Sequence, residues 1–96
     1  GGGMNKGSYT YNLSTLPGVP NDARAIAVRL FGTTNFEGSF IYVGPTSGTA
    51  SVVTRMPNSA QMNENNGILP LTGTTFHFYA SEDWTYVRMT VAGYWI

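Results

Sequence analysis

The chain has 96 residues, five basic and five acidic side chains, no net charge and no cysteine. That length describes one domain with a limited core, and the missing cysteines exclude a disulfide framework and a thiolate metal site. Charged residues make up only 10 % of the chain, against about 25 % in ordinary soluble domains. Lys6, Arg24, Arg29, Arg55 and Arg88 are scattered, which argues against nucleic-acid binding, because phosphate contacts need clustered cations.

Asn, Ser, Thr and Gly supply the polarity instead. Such a surface suits the exterior of a cell or a virus particle, and it suits subunit contacts that bury uncharged polar groups. No apolar run reaches the length of a membrane span, and no signal peptide is visible. Gly1-Gly2-Gly3 ahead of Met4 reads as a remnant, so the domain is expected to span residues 4–96.

The first strand is expected over Ser8–Leu13, where Tyr9, Tyr11 and Leu13 share a face. Leu16 to Asp22 is a loop, because its two prolines and glycine forbid regular pairing. Ala23 to Phe31 competes between helix and strand. Its alanines favour helix, but Ile26, Val28 and Leu30 alternate strictly with Ala25, Ala27 and Arg29, which predicts a central strand closed by Gly32 to Asn35. Glu37 to Val43 is expected to pair with it as a hairpin. Gly44 to Gly48 is a turn, and Thr49 to Met56 the next strand.

Asn58 to Gly67 is the longest polar stretch, with a short edge strand expected near Ala60 to Met62. Ile68 to Leu71 is a brief apolar strand, and Pro70, which lacks an amide donor, places it at an edge.

Thr75 to Ile96 reads as a second hairpin with a long second arm, turning at Ser81 to Trp84. The simplest register sets Phe78 against Val87 and Phe76 against Met89 on an apolar face. The other face then pairs Tyr79 with Tyr86 and His77 with Arg88. Ile26, Val28, Leu30, Phe76, Phe78, Val87, Met89 and Val91 are the predicted core, and Trp95 lies on the same face. The count is seven or eight short strands and no substantial helix, the signature of an all-β, antiparallel β-sandwich, jelly-roll or immunoglobulin-like.

Catalytic chemistry finds little to stand on. His77 is the only histidine, and no motif supplies it with an orienting partner or a nucleophile. Glu82 and Asp83 are neighbours in one turn, where glycosidase chemistry needs carboxyls on opposite sides of a bond. Their oxygens lack identifiable companions for a hard metal ion. Asn12-Leu13-Ser14 matches a glycosylation sequon, a pattern too short to carry weight. No catalytic residue, metal or cofactor is assigned.

Binding chemistry has two candidate places. One is the tip, Glu82, Asp83 and Trp84, where the indole either presents a flat stacking face or folds back over the core edge. The other is the polar face carrying His77, Tyr79 and Arg88. Amides from Asn63 to Asn66 could join either place.

Taken together, Leu16-Pro-Gly-Val-Pro20 with the following Asn-Asp-Ala-Arg-Ala-Ile-Ala-Val-Arg, and the terminal Val91-Ala-Gly-Tyr-Trp-Ile96, resemble small β-rich modules of bacteriophage tail fibres and tailspikes. The resemblance implies a virion-associated, extracellular homotrimer that recognises bacterial surface glycans without cleaving them. Tyr86, Tyr94 or Ile96 are expected near the subunit contact. A structural virion protein with protein partners only, a capsid decoration or tail-assembly component, is the alternative.

Overall fold

A computed structural model describes residues 2–57 and 62–96. Seven antiparallel strands form two sheets: β1 (Gly7–Asn12), β2 (Ala25–Thr33), β3 (Phe40–Gly44), β4 (Val52–Arg55), β5 (Asn63–Pro70), β6 (Thr75–Ala80) and β7 (Tyr86–Trp95). One sheet runs β1-β6-β3-β4 and the other β5-β2-β7, so the chain is an all-β sandwich. One short 3₁₀ turn, Leu13–Thr15, follows β1, its first free amide capped by the Asn12 side chain. The expected edge strand near Ala60 to Met62 falls largely outside the described residues. β5 instead begins at Asn63 and carries the polar residues through to Pro70, where it forms an edge as Pro70 suggested.

The Ala23 to Phe31 segment resolves as strand from Ala25 onward. β2 is the centre of its sheet, and Ile26, Val28 and Leu30 are fully buried. They meet Ile41, Val43, Phe76 and Phe78 of the facing sheet in one apolar cluster. A buried hydroxyl crosses the same space: Thr54 Oγ1 of β4 donates to the Leu30 carbonyl at 2.7 Å. Asn65 adds a second link, its Nδ2 donating to the Val53 carbonyl at 2.7 Å.

Both hairpins expected around β3 and β6 need correction. β2 and β3 lie in different sheets, and so do β6 and β7. β3 and β4 form the one hairpin among the described strands, through a turn in which Gly48 takes φ +83°. The physical reason is shared by both arches. Each strand's apolar residues need a partner across the core, and strands with one buried face satisfy that by facing each other as well as by lying side by side. Phe76 and Phe78 therefore oppose Val87 from above rather than pairing beside it.

β7 carries a bulge. Val28 pairs with Val91 but Ala27 pairs with Gly93, which leaves Ala92 unmatched. The bulge breaks the expected alternation near the end of the strand. Tyr94 falls opposite buried Ile26, and Trp95 opposite Ala25 on the outer face, 52 % exposed rather than in the core. Met89 and Val91 are partly buried at the margin of the cluster. Gly2 and Gly3 take part in the fold: the Val87 N–H donates to the Gly2 carbonyl, and Met4 and Trp84 exchange two main-chain bonds of 2.9 and 2.8 Å.

Candidate functional site

The outer face of the four-stranded sheet is aromatic at its centre. The alternation of β3 turns Ile41 and Val43 inward and Phe40 and Tyr42 outward, and β6 likewise turns out His77 and Tyr79. Pairing of β3 with β6 sets Tyr42 beside Tyr79, with Ser8 of β1 and Val53 of β4 completing the row. The rings of Phe40 and Tyr42 are stacked, 12° from parallel with centroids 6.2 Å apart. Tyr79 leans on both, 6.0 Å from Phe40 and 5.4 Å from Tyr42. Arg55, opposite Phe40, holds its guanidinium carbon 5.4 Å from the Phe40 centroid.

The three rings sit between two hollows. The smaller, about 100 Å³, is bounded by Ser8, Thr10, Tyr42, Ser47, His77 and Tyr79. His77 Nδ1 lies 3.0 Å from the Thr10 hydroxyl there, and the neighbouring β3 position is Gly44, against which the Thr49 carbonyl packs. The larger, about 570 Å³, is an open cleft walled by Asn35, Phe36, Glu37, Phe40, Ser81 and Glu82. Ser81 Oγ accepts the Phe40 N–H at 2.8 Å, which fixes the junction between cleft and platform.

The sequence-derived candidates separate accordingly. His77 and Tyr79 share the platform face. Arg88 does not join them: it pairs with Phe31 on the other sheet, and His77 stands opposite Thr10 and Gly44. The expected His77–Arg88 pairing therefore falls away. Arg55 is the cation the platform possesses.

Trp84 is corrected as well. At 2 % exposure it is core, folded back across the sandwich end, and it presents no stacking face. Glu82 lines the larger cleft. Asp83 is spent on structure: its Oδ1 accepts the Lys6 N–H at 2.8 Å and its carbonyl accepts the Thr34 hydroxyl at 2.6 Å. Asn63 to Asn66 belong to β5, in the other sheet, and lend no amide to the platform.

Phe40, Tyr42 and Arg55 are the residues that sequence reasoning missed. Their outward alternation was visible, but their convergence with Tyr79 depends on β3 lying beside β6. Among the described residues, no three His, Cys, Asp or Glu side chains gather as metal ligands, and no helix is long and apolar enough to cross a membrane. Comparisons with protein-family models, with curated proteins and with solved structures find no match.

Proposed function

We infer that this chain is a non-enzymatic carbohydrate-binding module, and that the Phe40–Tyr42–Tyr79 platform is its sugar site. The observation that carries the reading is the half-buried aromatic surface, accessible to solvent and ringed by hydroxyl, imidazole and guanidinium groups. A sugar ring offers an apolar C–H face and a rim of hydroxyls. Aromatic side chains bury the first, and Ser8, Thr10, Ser47, His77 and Arg55 are placed to bond the second. The binding groups lie mainly on paired strands, so the site is held in shape before the ligand arrives. The polar residues around it are mostly uncharged, which fits a neutral or weakly charged glycan.

The biological setting is drawn from the resemblance to phage tail-fibre and tailspike modules: a virion-borne or extracellular domain that binds bacterial surface glycans. A glycan array probed with the purified chain tests the reading. Binding that disappears in Tyr42→Ala and Tyr79→Ala supports it. An array without a hit, or binding that survives both substitutions, overturns the platform as the site. A second reading, a structural virion component with protein partners, is favoured by the exposed Tyr94, Trp95 and Ile96 at the end of β7; a blank array combined with stable self-association selects it.

A further inference from the structure

Among the described residues β7 is an edge strand, and only its beginning is covered. The Val87 N–H points away from β2, to the Gly2 carbonyl at 2.9 Å. By strand alternation, the main-chain groups of Met89 and Val91 face the same open side. Beyond the bulge the Trp95 carbonyl is taken on the β2 side by the Arg24 N–H at 2.7 Å, so Tyr94 and Ile96 turn theirs outward. Beside this edge the sandwich is open. An apolar groove of about 180 Å³ runs between the sheets, lined by Met4, Tyr11, Leu16, Phe76, Val87 and Met89. Gly2 to Met4 already occupy one end of this surface: they pair with the edge, and Met4 packs against the core.

We propose that the uncovered remainder of the edge, Met89 to Ile96, pairs antiparallel with the same segment of a second copy of this chain, about a twofold axis between Ala92 and Gly93. Three observations select that occupant. The first is continuity, because the new pairing starts where the Gly2–Met4 pairing stops and extends the same edge. The second is register. Met89 and Val91 face inward; the Ala92 bulge brings Tyr94 onto the same face, opposite Ile26, and alternation carried one step past the end of β7 puts Ile96 there too. A twofold between Ala92 and Gly93 places Met89 against Ile96 of the partner subunit and Val91 against the partner's Tyr94. Inward side chains then meet inward side chains, and outward main-chain groups meet outward main-chain groups. Small residues, Ala92 and Gly93, sit at the axis.

The third observation is chemical. Arg88, the single charged residue of β7, lies outside the paired stretch. The exposed Tyr94, Trp95 and Ile96, at 46, 52 and 64 %, become cross-strand partners of Val91, Thr90 and Met89. A long, charge-poor edge of this kind is a template for pairing, and a twofold contact needs one self-complementary patch. The result is a six-stranded sheet whose centre is β7 with its copy, in place of the threefold assembly that the resemblance implies. The aromatic platform lies on the other sheet, so this inference stands or falls independently of the glycan reading.

Sedimentation equilibrium of the full chain at high micromolar concentration is expected to give the mass of two 10.4 kDa chains. Thr90 of one copy faces Trp95 of the partner subunit, so two double variants read the register. Thr90→Glu with Trp95→Glu sets like charges opposite each other twice and is expected to weaken association at least about tenfold. Thr90→Lys with Trp95→Glu sets opposite charges there and is expected to retain the dimer. Circular dichroism checks that both variants fold, and the wild-type mass decides on its own if either does not. A monomeric or trimeric wild type, or two folded double variants that dissociate equally, overturns the proposal.

Discussion

Gly32 lies directly beneath the Trp84 ring: a Cβ built on Gly32 would come within 2.6 Å of two indole carbons. β2 thus leaves out a side chain so that the link between β6 and β7 can put its tryptophan into the core. Both residues belong to one packing unit at the end of the sandwich, together with the Met4–Trp84 main-chain pair. Gly32→Ala is expected to cost about 1–3 kcal/mol, the usual range for overpacking. Trp84→Ala is expected to cost about 3–5 kcal/mol through the cavity it leaves. Urea denaturation of the two variants checks both figures. A Trp84→Ala protein as stable as wild type would place the indole outside the core.

Tyr42→Ala and Tyr79→Ala test the platform. Each should weaken glycan binding at least about tenfold, which corresponds to about 1.4 kcal/mol. Each ring is half-buried against its neighbours, and loss of an aromatic pair removes about 0.5–1.5 kcal/mol of stability. Titration calorimetry with the best array ligand, alongside thermal melts, separates the two effects. A variant that melts early but binds as wild type assigns its ring to stability alone.

Gly44→Ala is expected to disturb both stability and the smaller hollow. A Cβ there would overlap the Thr49 carbonyl oxygen in the β3–β4 turn. The backbone has to move, and with it the Ser47–Gly48 rim of the hollow. A destabilisation of about 1–3 kcal/mol is expected, accompanied by weaker glycan binding. Wild-type affinity in this variant would remove the turn from the site.

Thr54→Val probes the hydroxyl that bridges the sheets. The substitution keeps the shape and deletes the donor to the Leu30 carbonyl in a fully buried setting. A cost of about 1–2 kcal/mol is expected from the lost bond, read as a lower urea midpoint with an unchanged slope. A neutral result would mean that the carbonyl is satisfied by its own ladder.

By itself, the sequence determined which residues face inward and where most strands run. Ile26-Ala-Val-Arg-Leu30 outweighed the helical leaning of its alanines, because alternating burial reaches far more apolar area than a helix of the same residues could turn to one side. Pro70 marked an edge through its missing donor, and Phe40, Tyr42, His77 and Tyr79 declared their outward side by the same alternation. Tertiary structure alone decided which strand lies beside which. Period-two patterning fixes the face of a strand and is silent on its neighbour, since a hairpin and an arch across the core bury the same side chains. Phe76 and Phe78 could therefore be assigned to the core from sequence, whereas pairing His77 with Arg88 could not be. The same gap hid the platform: Phe40 and Tyr42 stand 37 residues ahead of His77 and Tyr79 in pairs along the chain, and only the β3–β6 ladder brings their rings together. Trp84 went inward because Gly32, on a different strand, leaves room for it, a vacancy that no local pattern around Trp84 encodes.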